Sequence, residues 1–177
     1  ELMNEPVADD PEDWNRLVAK GIATIRENEP QRVVVVGSNR WQSVNTMKDL
    51  IVPEDDKNIL LSFHFYEPFL ITHHQAGWTH VAKYRGPIHY PGLMVKPEDK
   101  KGLPDDVKQI VRNAGEENRE TLEQRIRKAV ALSEKYDLPI YCGEWGCITA
   151  APRDVRLAWY GDMISILEEH EIGWANW

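Results

Sequence analysis

Pro139-Ile140-Tyr141-Cys142-Gly143-Glu144-Trp145-Gly146 is the stretch around which the rest of the chain is organised. Pro139 to Cys142 reads as a short, mostly apolar strand. Gly143 lets the chain turn, so Glu144 stands where a strand gives way to a loop. A second carboxylate has matching context in Leu2-Met3-Asn4-Glu5-Pro6, an apolar run that ends in Glu and is broken by Pro. A single Glu at a strand end is ordinarily a solvated loop residue. Two of them, each at the C-terminal tip of a strand and each followed by a chain-breaker, supply the pair of groups a two-carboxylate hydrolase needs.

Outward from these two points the chain alternates strand and helix. After Pro6, Asp9 or Asp10 can cap a helix with Pro11 in its first turn. Trp14, Leu17, Val18, Gly21, Ile22 and Ile25 then recur at helical spacing to about Asn28. Arg32 to Gly37 holds the near-continuous apolar run of a strand in a parallel sheet. A helical piece over Asn45 to Leu50 and a strand over Asn58 to Tyr66 follow. Glu67 to about Gly115 is the longest irregular stretch, rich in proline and in aromatics (Phe69, Trp78, Tyr84, Tyr90). Its aromatic content opposes disorder, and its length marks a substrate-binding loop or lid. An amphipathic helix over Asn118 to Tyr136, with Leu122, Ile126, Ala129, Val130 and Leu132 on its apolar side, leads into the organising strand. A helix over about Pro152 to His170 and a strand over Ile172 to Trp177 complete the order.

Strands alternating with helical patterns imply a parallel sheet with right-handed crossovers. An open doubly wound sheet and part of a (β/α)8 barrel both satisfy this order. No Gly-x-Gly-x-x-Gly follows the first strand, which removes the usual dinucleotide site. Instead, polar and aromatic residues mark the C-terminal ends of all five strands: Asn4-Glu5, Asn39 with Trp41, His64 with Tyr66, Glu144-Trp145 and Asn176-Trp177. Barrel active sites are built at those ends, so the expectation is an incomplete (β/α)8 barrel of about five parallel strands, with residues 1–177 forming a single catalytic domain.

The chain of 177 residues has a net charge of −8 and no Lys/Arg cluster, which argues against a nucleic-acid partner. No apolar run approaches the ~20 residues of a membrane span, so no membrane association is expected. Cys142 and Cys147 form neither a disulfide framework nor a metal set. His73, His74, His80 and His89 lack ligand spacing, so neither a metal nor any other cofactor is expected. Ser38 and Ser43 lack the strand–turn–helix setting of a serine nucleophile. Seven Trp and six Tyr suit sugar recognition, although Trp is also a core residue.

Asn4-Glu5-Pro6, His64-Phe65-Tyr66 and Gly143-Glu144-Trp145-Gly146, closing on Trp177, resemble glycoside hydrolase family 5 of clan A, the cellulase-type retaining endoglycosidases. The resemblance implies that Glu5 ends barrel strand four as the acid/base and Glu144 ends strand seven as the nucleophile. It implies that His64 and Tyr66 end strand six and that Trp177 ends strand eight. Matched this way, the chain runs from strand four to strand eight. The family's first three strands, with an Arg and a His of its active site, are then expected outside this sequence, and either that N-terminal barrel segment or self-association would cover the open sheet edges.

The implied function is endohydrolysis of β-1,4-glucan, with mannan, xylan or mixed-linkage glucan as alternatives, by an enzyme secreted or periplasmic like its relatives. A non-catalytic half-barrel that only binds sugar is the rival from another class. Retention places the two carboxyls ~5–5.5 Å apart, a range at which one of them is expected to hold a proton. The resemblance gives Asn4 a hydrogen bond to the sugar 2-hydroxyl, Tyr66 one to Glu144, and His64 a place lining the site. Residues 64 and 66 fall on one side of a strand, which agrees with that pairing. Trp41 and Trp177 are read as sugar platforms, with a core role as the alternative for each.

Overall fold

A computed structural model describes residues 1–177. The chain divides into two compact units. The first comprises Glu1–Phe65, Gln124–Trp145 and His170–Trp177; the second comprises Tyr66–Glu123 and Gly146–Glu169.

The first unit is built on a four-stranded parallel sheet in the order β1 (Val34–Gly37), β2 (Ile59–Phe65), β5 (Ile140–Trp145), β6 (Gly173–Asn176). The strands neighbour one another in chain order. A doubly wound sheet reverses order at its switch point, whereas a (β/α)8 wall does not. Burial follows the apolar runs: Val34, Val36, Leu61, Phe63, Phe65, Cys142 and Trp145 are all 3% exposed or less and, by strand alternation and register, share one face of the sheet, while Val35, Leu60 and Tyr141 on the other face are half-buried.

Helix α1 (Pro11–Asn28) starts as its sequence dictates. The Asp10 side chain accepts the Glu12 N–H at 3.0 Å and Pro11 opens the first turn. Trp14, Val18 and Ile22 are buried, while Leu17, on the expected apolar stripe, is 49% exposed. Trp14 Nε1 donates to Gly37 O at 2.9 Å, tying the helix to the C-terminal end of β1. Arg26 locks the other end of α1. All five of its N–H groups are used, on the Asp56 carboxylate (2.8 and 3.1 Å) and on the carbonyls of Glu29, Arg32 and Asn58. The helix end is thereby fixed to the entries of β1 and β2, and the Arg26 guanidinium with the Asn58 N–H holds the Asp56 carboxyl below its usual range, against the opposing cost of burial.

Two expected features of this unit take a different form. Leu2–Glu5 is not a strand; it docks beside β1 through one backbone bond, Leu2 N–H to Val35 O at 3.1 Å, and Pro6 has no N–H with which to extend a ladder further. Gly143 does not turn the chain away. β5 continues through Gly143 and Glu144 to Trp145, and the register slips there: Phe63 faces Cys142, while His64 faces Glu144. Gly143 is therefore the extra residue of a bulge. A Cβ on it would stand 2.7 Å from Ser62 Oγ, so only glycine fits without displacement.

The second unit contains the long stretch expected as a loop, and short regular elements punctuate it. It holds α3 (Phe69–Thr72), a 3-10 turn (His80–Lys83), α4 (Asp105–Val111) and an antiparallel pair of two-residue strands, β3 (Gly92–Leu93) and β4 (Glu116–Glu117). Elements this short leave no periodic trace in a sequence. Helix α6 (Arg153–Glu169) buries Val155, Trp159, Met163, Ile166 and Leu167, and its Trp159 Nε1 donates to Glu67 O at 3.1 Å. Helix α5 (Arg119–Tyr136) runs from this unit into the first, with Leu122, Ile126, Ala129 and Leu132 buried as their spacing requires.

Candidate active site

The site lies in the first unit, at the C-terminal ends of β2 and β5, and its three central side chains come from three separate segments. His64 and Glu144 are register partners on adjacent parallel strands. The bulge at Gly143 shifts the pairing of β5 by one residue and so sets Glu144, rather than Gly143, opposite His64. Glu5 enters from the N-terminal arm. His64 is 6% exposed, and its Nδ1 is hydrogen-bonded with Glu5 Oε1 at 2.9 Å and lies 3.9 Å from Glu144 Oε2. One carboxylate oxygen of each glutamate and the imidazole nitrogen all lie within 4.8 Å of one another. Both carboxylates keep access to solvent, with side-chain exposures of 31% for Glu5 and 22% for Glu144.

No strand holds Glu5, so other groups must place it. The turn after β1 does so. Arg40, Trp41 and Gln42 all have left-handed backbone, with φ of 53°, 61° and 54°, and Glu5 itself has φ 49°. Non-glycine residues adopt this region at a cost of ~1–2 kcal/mol each, so four of them are held there by tertiary contacts. Gln42, fully buried, accepts the Glu5 N–H on Oε1 at 2.9 Å. Its Nε2 lies 3.1 Å from Glu1 Oε1 and 3.2 Å from Ser62 Oγ. The Trp41 N–H donates to Pro6 O, and the Asn39 carboxamide bonds both backbone groups of Ala8. Ser38 donates to Ser43 O and Thr46 to Asn39 O, which closes the turn on itself.

Of the residues read from the sequence, Glu5, His64 and Glu144 are brought together. Asn4 is exposed beside Glu5 in the chain. Trp41 and Trp177 belong to the same unit and present their rings to solvent, 57% and 84% exposed, so neither is a core residue here. The Trp177 N–H donates to Trp145 O at 2.8 Å. Tyr66 opens the second unit, half-buried, with its ring edge-on to His73 at 5.1 Å. Sequence reading marked Asn39 at a strand end without giving it a role, and missed Gln42 and Ser62. The only trace of Gln42 was Gly37, where a Cβ would stand 2.3 Å from the Gln42 side chain. As ligands, Glu5, His64 and Glu144 offer two oxygens and one nitrogen, a set that also suits a divalent cation.

Two acidic groups at this range, one of them hydrogen-bonded with a buried imidazole, can move a proton and present a nucleophile on one substrate bond. The comparisons with known proteins place the chain in a family. The chain is 36% identical over 179 residues to endoglucanase C of Acetivibrio thermocellus, covering 100% of this chain and 52% of that protein. Cellodextrinase A of Ruminococcus flavefaciens is 29% identical, with 97% of this chain and 45% of that protein covered. The chain thus spans about half the length of the curated relatives it matches. Among solved structures, endoglucanase Cel5A from Thermotoga maritima superposes with a TM-score of 0.77 at 27% identity, over 98% of this chain and 49% of that one. The family model for cellulase (glycosyl hydrolase family 5) matches residues 1–177. The chain belongs to glycosyl hydrolase family 5, the cellulase family, and its parallel sheet is part of a (β/α)8 barrel.

Proposed function

We propose that the protein is an endo-acting hydrolase of β-1,4-glucan that retains configuration at the anomeric carbon, with Glu5 as acid/base and Glu144 as nucleophile. The observation that carries this reading is the clustering of both carboxylates with His64 Nδ1 within 4.8 Å. Retaining enzymes use a carboxyl separation of ~5–5.5 Å, and inverting enzymes need ~6.5–9.5 Å to admit a water.

In the first step a Glu144 oxygen attacks the anomeric carbon as the bond to the leaving oxygen breaks, and the proton of Glu5 passes to that oxygen. In the second step ionised Glu5 takes a proton from water, the water oxygen attacks the same carbon, and the ester to Glu144 is released. His64 steers both steps. Its ring is immobilised by burial, and its Nδ1 hydrogen-bonds Glu5 while lying 3.9 Å from Glu144, so it orients Glu5 directly and acts on Glu144 through proximity. Asn4 is assigned to a hydrogen bond with the sugar 2-hydroxyl, and the exposed rings of Trp41 and Trp177 to stacking on flanking sugars.

The names of the relatives favour glucan. A second substrate, mannan, is kept because the Thermotoga maritima enzyme has also been seen in complex with mannotriose. A polymer of this size stays outside the cell, so we place the activity in a secreted or periplasmic protein. The test is hydrolysis of aryl β-cellobioside and aryl β-mannobioside by the full-length protein and by Glu144→Gln. Wild type is expected to release the β-anomer first and the variant to be inactive. A first-formed α-anomer, or wild-type turnover by Glu144→Gln, would reject the mechanism. A folded wild type without turnover would leave a sugar-binding module.

A further inference from the structure

We propose that Gln42 is the positioning residue for Glu5, an inference that rests on the acid/base reading of Glu5. Glu5 lies in an arm without strand pairing at residues 3–7, and its backbone sits at φ 49°, a conformation unfavourable for glutamate. One side-chain oxygen, Gln42 Oε1, holds its N–H at 2.9 Å. Gln42 cannot drift. It is fully buried, its amide nitrogen is anchored on Ser62 Oγ and Glu1 Oε1, and its own backbone is left-handed in series with Arg40 and Trp41.

Consecutive strained residues cost several kcal/mol and persist where the surroundings over-determine them; they concentrate at functional sites. Here the strain has an evident product. It turns the Gln42 carboxamide inward, under the backbone of Glu5, instead of outward with the exposed ring of Trp41. Gly37 completes the seat, because the space a Cβ would fill is occupied by the Gln42 side chain, 2.3 Å away. Ser62 links the device to the nucleophile strand, since the same Oγ that anchors Gln42 stands 2.7 Å from where a Gly143 Cβ would be, next to Glu144. A single buried carboxamide thus ties the acid/base arm to the strand pair that presents His64 and Glu144.

A residue that acts through the acid/base leaves a kinetic signature that a general packing role does not. Loss of acid catalysis slows substrates with poor leaving groups and spares those whose leaving group needs no proton. We expect Gln42→Met in the full-length protein to lower kcat/KM on phenyl β-cellobioside ~30–100-fold, the scale of a 1 Å misplacement. On 2,4-dinitrophenyl β-cellobioside the loss of kcat/KM should stay below ~3-fold, by the same leaving-group argument. Gly37→Ala, which pushes the carboxamide from its seat, should give the same split, and Ser62→Ala a smaller one that requires little of the fold. Equal losses on both substrates, or no loss on either, in the variants that fold would overturn the assignment to Gln42. The acid/base reading itself is checked separately by Glu5→Gln: if that variant shows no leaving-group split, the reading of Glu5 fails whatever Gln42 does.

Discussion

Gly143→Ala tests whether the bulge in β5 is what aims Glu144. The added Cβ would lie 2.7 Å from Ser62 Oγ and 3.3 Å from the Tyr141 ring, against an ordinary contact that begins at 3.4 Å. Relief of the first clash therefore needs 3.4 − 2.7, or ~0.7 Å, of movement, the order of misplacement that costs reactivity. Ser62 is 1% exposed and its hydroxyl anchors Gln42 Nε2 at 3.2 Å, so it cannot yield without loosening the seat of Glu5. The alternative is that β5 itself lifts away, carrying Glu144 with it. Overpacking of this kind costs ~1–3 kcal/mol of stability. A displacement of ~0.7 Å at the nucleophile costs ~10–100-fold in kcat, equivalent to ~1.4–2.7 kcal/mol. Urea unfolding and turnover of an aryl β-cellobioside would be measured on Gly143→Ala, Ser62→Gly and the double variant of the full-length protein. The double variant should recover stability relative to Gly143→Ala with a coupling of at least ~1 kcal/mol, because the two changes share one contact. Wild-type stability and kcat in Gly143→Ala, or a double variant no better than the single, would refute the crowding argument.

Three further outcomes follow from particular contacts. Arg26→Met removes five donors and strands the largely buried Asp56 carboxylate, so urea unfolding at pH 7 should show a loss of ~2–4 kcal/mol. Because the Asp56 carboxyl is depressed in the folded state, the stability it contributes is present above about pH 4 and is lost as pH falls below that; the gap between Arg26→Met and wild type should narrow at pH 3, and a constant gap would count against the ion pair. His73 and His74 are both pushed down by burial, so they take up protons on unfolding; their contribution is present above pH ~6.5 and is lost below it, by at most ~1.4 kcal/mol per pH unit for each. The stability of His74→Phe should fall less steeply from pH 7 to 5 than that of wild type, and parallel curves would rule the group out. Tyr90→Phe removes the hydroxyl that donates to Asp162 at 2.7 Å and should lower the thermal midpoint by the equivalent of ~1–2 kcal/mol, while an unchanged midpoint would show the bond to be neutral.

Local chemistry by itself determined a good deal of this protein. The cap and spacing of α1, the unbroken apolar run of β1 and the stripe of α5 each follow from residues a few positions apart, where side-chain period and backbone geometry are coupled directly. The chain-order alternation of strands and helices likewise carried the parallel sheet, and the motifs at the strand ends carried the family. His64 and Glu144 were legible for the same reason, since each stands at the end of a strand with a clear apolar pattern.

Only the tertiary structure decided how Glu5 is held and where β5 ends. The bond from Gln42 to Glu5 spans 37 residues, that to Ser62 spans 20, and the arm they fix has no periodicity of its own. A left-handed run of Arg40, Trp41 and Gln42 cannot be read from residues that rarely adopt it, because its cost is met by distant contacts and not by local preference. Gly143 looks like a turn in isolation. It becomes a bulge because β2 on one side and β6 on the other pair with the strand beyond it, and the slip of one residue there is what sets Glu144 against His64.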